Sequence, residues 1–296
     1  MPRRRTTALG LLAASLLLGL ALAGGAGAAK QRNRDVPTLV FPVAAPTTFT
    51  DDFGDPRSDG PPHPGNDLLA ARKSPAVAAE AGTVTFWTTS ATAGCMLYLH
   101  GDSGTTYQYI HLNNDLTKRN DNRGKCVAGV AYARGLKSGA RVEAGQLVGY
   151  VGDSGDANGI HPHLHFEVHP NDGAAVDPYP YLQAARHLFF FGKDGTPFAL
   201  VLQGKVVGST DGSLQLDVTA VRSFPGSSLQ RKLGQTVTLT VPATAQLLRK
   251  GKTATDGLAA AVPGEKAVVW TEPALASRDA ELGADGALAA AIVQLG

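Results

Sequence analysis

The chain has 296 residues, with 27 Lys and Arg against 25 Asp and Glu and a formal net charge of +2. So even a balance gives no electrostatic reason for nucleic-acid binding, and an apolar share of 43% is enough to bury a core. With 35 Gly, 18 Pro and only 6% aromatic residues, the composition favours a turn-rich β protein over a helical bundle.

The chain opens with Arg3-Arg4-Arg5, continues with an apolar run from Leu11 to Ala23, and reaches small residues ending Ala26-Gly27-Ala28. This three-part layout predicts a secretory signal peptide over 1–28, with an uncleaved anchor as the competing reading. The apolar run is short for a bilayer, and no later stretch offers about 18 uninterrupted apolar residues. Removing 1–28 takes away three arginines and no acids, which moves the formal charge from +2 to −1. The expectation is an exported chain without a stable membrane span, located extracellularly, in a periplasm or at a cell wall.

After an extended, proline-containing stretch at 36–50, alternating segments predict strands over 84–89, 96–100, 105–112, 141–151 and 163–168. A hairpin at 100–104 joins the second to the third, which makes the fold mainly β and antiparallel. Asp177-Pro178 marks a helix start, with a short helix expected from Tyr181 to Phe190. From about Phe191, five more strands are expected at 199–209, 213–221, 236–242, 266–272 and 287–295. Their length and spacing suggest a small all-β barrel or sandwich, loosely OB-like. The expected organisation is therefore a first β domain over 29–190, with its core at 40–190, and a second over 191–296.

Cys95 and Cys126 form an even pair in a chain expected to be exported, so a disulfide is predicted. Neither has a C-x-x-C partner, which disfavours thiolate zinc ligation. The bond would tie the segment from Asn113 to Gly139 to the strand that begins near Cys95.

Three short blocks carry chemistry: His63-Pro64-Gly65-Asn66-Asp67, Tyr109-Ile110-His111, and His163-Leu164-His165 within HLHFEV. On a strand, His163 and His165 must face one side, which suits a metal. Two imidazoles and a carboxylate are a donor set for a catalytic zinc that keeps one position for water. Spacing alone does not separate His163 from His165. Glu167 shares their face and could orient an imidazole, since three successive same-face residues span about 13 Å and cannot all reach one ion. Tyr109 lies two residues before His111, so the same period would set it in the cleft or as an oxyanion donor, with a packing role as the alternative. His161 is expected at the cleft rim, His100 and His169 in solvent, and His187 on the short helix. The run from Gly152 to Gly159 reads as a flexible turn at the cleft mouth rather than a calcium loop, because it lacks the twelfth-position glutamate.

Taken in this order, the three blocks resemble the signature of lysostaphin and LytM-type zinc endopeptidases: H-x-G-x-D, then Y-x-H, then H-x-H followed by F-E. FGDPR at 53–57, AAEAGTVTF at 78–86 and GARVEAGQLVGYVGDSG at 139–155 are similar as well, so the likeness covers roughly residues 40–190. The resemblance implies one zinc per chain held by His63, Asp67 and His165, with His111 and His163 as the catalytic pair. It also implies hydrolysis of peptidoglycan peptides, at a cross-link or an interpeptide bridge, by a zinc-activated water. The second domain would contact the wall, a protein partner or the peptidase itself. A catalytically silent wall-binding or amidase-activating module of the same fold is the alternative. The segment 113–139, the 152–162 turn and everything after about 190 depart from that family's pattern.

Overall fold

The computed structural model describes residues 36–57, 60–225 and 229–296; the expected signal peptide at 1–28 lies outside them. Among the described residues, nine strands precede the first α-helix: β1 (Thr47–Thr48), β2 (Asn66–Ala70), β3 (Pro75–Val77), β4 (Gly82–Ser90), β5 (Gly94–Gly101), β6 (Thr105–Leu112), β7 (Arg141–Val142), β8 (Leu147–Tyr150) and β9 (His163–Pro170). Seven of them build an antiparallel sheet in the order β1-β2-β9-β6-β5-β4-β7, while β3 and β8 pair separately. Along β9 the period of two holds: Leu164, Phe166 and Val168 enter the apolar core with Leu97, Leu99 and Tyr107, leaving 163, 165 and 167 for the other face.

The local structure departs from the expected elements in three places. The strand expected over 141–151 is two, because a turn closes at Gly145 with φ of 76° and sends β8 away from the main sheet. Asn66 and Asp67 are poor strand formers, yet β2 exists because it is hydrogen-bonded along β9, with Asp67 opposite His165. The helix α1 covers only Tyr179–Gln183, with its Tyr179 amide donating to Asp177 Oδ1 at 3.0 Å. It stops because the following backbone finds better partners elsewhere: Arg186 N donates to Leu39 O at 2.8 Å and Phe41 N to Arg186 O at 2.9 Å. His187 is therefore off the helix and stacked on Phe41, with ring centroids 4.4 Å apart.

The remaining chain forms β10 (Pro197–Thr210), β11 (Ser213–Phe224), β12 (Leu229–Thr240), β13 (Gln246–Arg249), β14 (Lys252–Thr253), β15 (Lys266–Thr271), β16 (Ala274–Leu275), α2 (Arg278–Glu281) and β17 (Ala290–Leu295). The sheet order is β12-β11-β10-β15-β17-β13-β14, with β16 on β10. A bridge from Thr240 to Ala289 joins the end of β12 to the start of β17, so five strands curl into a ring around a second apolar core. A smaller cluster of Val40, Val77, Leu188 and Leu282 lies where the two sheets' connecting segments meet. Arg278 Nη1 donates to Gly145 O there, at 3.0 Å.

The disulfide is present, with Cys95 and Cys126 Cα atoms 5.1 Å apart.

Candidate active site

Four of the eight histidines converge on one side of the main sheet, and His63, His111, His163 and His165 are each at most 8% exposed. His165 comes from the middle of β9, and Asp67 faces it across the ladder from β2. His63 lies in the loop entering β2. The loop needs its glycine: a Cβ on Gly65 would stand 2.5 Å from Phe166 O and 2.9 Å from His165 Nε2.

His63 Nε2 lies 2.8 Å from His165 Nδ1 and 3.2 Å from Asp67 Oδ1, and His165 Nδ1 is 2.9 Å from the same carboxylate oxygen. Their other ring nitrogens are already committed. His63 Nδ1–H donates to Asp52 O at 2.9 Å, and His165 Nε2–H donates to Glu167 Oε1 at 3.0 Å. Those acceptors carry no proton, so the network assigns both tautomers and leaves two nitrogen lone pairs aimed at each other and at an anion. Such a triangle requires a cation at its centre, either a shared proton or a metal. One ligand atom from each of the three residues lies within 4.8 Å of the others, so the donor set fits a divalent ion. Without an ion, burial raises the Asp67 pKa but the His165 and His63 hydrogen bonds outweigh it and hold the carboxyl far below its usual range. Burial likewise lowers that of His165, but Asp67 and Glu167 raise it to above the ordinary value.

His111 and His163 stand beside this triangle, their ring centroids 5.1 Å apart, with His163 Nε2 3.8 Å from Asp67 Oδ1. Each donates Nδ1–H to a carbonyl, Ser154 O at 2.8 Å and His161 O at 3.0 Å, which leaves Nε2 open. Burial, followed by the neighbouring His163, pushes the His111 pKa down to about 4. Asp156 Oδ1 lies 3.7 Å from His111 Nε2.

Tyr109 is elsewhere, and the expectation that it lines the cleft is corrected. The β5–β6 register slips between Leu97 opposite Tyr109 and Cys95 opposite Leu112, so two residues, Ile110 and His111, bulge against one. His111 adopts φ of 62° at this point. The bulge breaks the alternation, sending both Ile110 and His111 to the cleft and Tyr109 into the core. There its hydroxyl donates to Val77 O at 2.9 Å and accepts from Ala79 N at 2.7 Å.

Glu167 occupies the position expected of an orienting group, and its second oxygen reaches His169 Nε2 at 2.6 Å. His169 Nδ1 lies 2.9 Å from Gly173 O, and its pKa is raised above the ordinary value, chiefly by the hydrogen bond to Glu167. The expectation of a solvated His169 is thus replaced by a chain from His165 through Glu167 to His169. The signal was available, since 169 continues the period of two from 163. Burial raises the Glu167 pKa, but its two histidines bring it down to about 2.

The turn after Gly152 is anchored rather than flexible. Asp153 and Asp115 are both fully buried, and Arg72 binds the two at once, with Nη2 2.7 Å from Asp153 Oδ2 and Nη1 on Asp115. Asp115 also accepts from the amides of Asp121 and Asn122 at 2.6 and 2.7 Å. Neither Asp52 nor Arg72 had a sequence signal, because each acts through partners set by the fold.

Residues 61–178 match the description "Peptidase family M23". The chain is 28% identical over 154 residues to the L-Ala–D-Glu endopeptidase of Bacillus subtilis, an overlap of 49% of this chain and 42% of that protein. Among solved structures, it is similar to the catalytic domain of lysostaphin from Staphylococcus simulans, with 26% identity, 46% of this chain and 92% of that one covered, and a TM-score of 0.36. For a glycyl-glycine endopeptidase LytM assigned in Ruminococcus gnavus, the values are 26%, 49%, 59% and 0.39. For a zinc-containing peptidase of Vibrio cholerae they are 24%, 49%, 40% and 0.35. The H-x-G-x-D, Y-x-H and H-x-H blocks that assemble on one face all lie within residues 61–178, the stretch that matches peptidase family M23.

Proposed function

We propose that the chain is an exported zinc endopeptidase that hydrolyses peptide bonds of peptidoglycan, with residues 191–296 as an accessory domain that contacts the wall or a partner. The observation that carries this reading is the triangle of His63 Nε2, Asp67 Oδ1 and His165 Nδ1, whose two imidazole tautomers are directed inward by Asp52 O and Glu167. These three residues would hold the ion. A bound zinc supplies Lewis acidity and lowers the pKa of water to about 7.

The chain's own residues do the rest. Glu167 and the Asp52 carbonyl keep the two ligand rings in place. His111 and His163, each with Nδ1–H on a carbonyl, offer Nε2 as the site that accepts a proton from the attacking water and returns it to the leaving amine. A ring protonated at Nε2 can also donate to the developing oxyanion. The buried walls around both limit competing solvent.

The full chain, expressed and incubated with muropeptides, should release new amino groups in a chelator-sensitive manner. His165→Ala should lose both bound zinc and hydrolysis, whereas His111→Ala should keep zinc and lose turnover. Hydrolysis that persists in His165→Ala would refute the ligand set.

A further inference from the structure

The cleft beside the histidines encloses about 160 Å³ and is walled on one side by the small residues Ser90, Thr92 and Ala93. Three charged side chains other than histidine line it: Arg57, Asp156 and Glu167. Two of these are committed. Asp156 lies against His111, and both Glu167 oxygens are taken by His165 and His169. Arg57 has neither an ion pair nor a hydrogen bond among the described residues, although it lines the same cleft as Pro64, which follows His63 in the chain.

An uncommitted guanidinium at the mouth of a cleft is a ready donor for an anion. Its planar fork matches a carboxylate with two parallel hydrogen bonds, and each such charge-assisted bond is about twice as strong as a neutral one. A neutral bridge of small residues would leave that fork idle. Resting on the peptidase reading above, we propose that Arg57 reads a free carboxylate on the substrate, so that the preferred peptide carries an acidic group next to the scissile bond rather than a run of uncharged residues. The cleft volume of about 160 Å³ adds that the residue filling the cleft itself has a small side chain.

The test uses the zinc-loaded full chain and a muropeptide, together with versions in which each free carboxylate is converted in turn to its carboxamide. KM and kcat are measured for each, and the Kd of each is measured by calorimetry on analogues whose scissile amide is reduced. One conversion should raise KM and Kd about tenfold with kcat unchanged, as expected for loss of one charge-assisted contact made equally in ground and transition states. Arg57→Gln should bind the acid and amide forms equally, and Arg57→Lys should keep part of the preference, with zinc content unchanged in both. The proposal is overturned if no single conversion shifts Kd by more than about twofold, or if Arg57→Gln still prefers the acid, which would assign the anion to the metal or another group. Failure of the parent chain to cut any muropeptide would instead overturn the peptidase reading, while the Kd series would still decide the role of Arg57.

Discussion

Arg72→Met tests the buried charge cluster that holds the cleft mouth. Asp115 and Asp153 are fully buried, and the Arg72 side chain is 10% exposed. Removing the guanidinium leaves Asp115 with two backbone amides, but leaves Asp153 with only the Gly159 amide at 3.3 Å. The penalty therefore falls mainly on Asp153. Breaking a buried pair by deleting one partner costs about 3–5 kcal/mol, and the amides kept by Asp115 set the expectation near the lower end, about 3 kcal/mol. For a fold of ordinary stability that is a fifth or more of the total. Urea unfolding followed by the fluorescence of Trp87 and Trp270, at fixed zinc and with the disulfide intact, measures it. Because the methionine stem keeps most of the packing volume, the double variant Arg72→Met with Asp153→Asn should recover much of the loss, since it removes the stranded charge. A loss below about 1 kcal/mol, or no recovery in the double variant, would show that the two carboxylates do not depend on Arg72.

Replacing Cys95 and Cys126 together by serine opens a closure of 31 residues, which the chain-entropy account values at about 4 kcal/mol; an unchanged urea midpoint would contradict it. His187 has its pKa lowered by burial from 6.5 to about 4, so the folded state resists a proton that the unfolded chain accepts. Its contribution is complete above about pH 6.5 and is lost as pH falls toward 4. The parent should accordingly lose about 2 kcal/mol more than His187→Phe between pH 7 and 4, after allowance for the ring's partial exposure, and parallel pH profiles would refute this. Glu167→Gln or His169→Ala should weaken zinc binding about 10–100-fold in chelator competition, because the His165 ring loses the groups that fix its orientation; unaltered affinity would exclude the chain from Glu167 to His169 as a support of the site.

Periodicity alone determined that His163, His165 and Glu167 share a face, because side-chain alternation is a property of the strand backbone. The three short blocks and the resemblance they carry led to the residues that converge, and the even cysteine pair led to the disulfide. Tertiary structure decided the rest. Tyr109 left the cleft because Ile110 and His111 bulge against β5, and a bulge exists only relative to a partner strand. The helix after Asp177 ended early because the backbone at Arg186 bonds to Leu39, 147 positions away in the chain. Arg72 found Asp115 and Asp153 across separations of 43 and 81 residues. Local spacing specifies which way a side chain points along its own element, whereas register, bulges and buried charge pairs are set by free energies that arise only when distant segments meet.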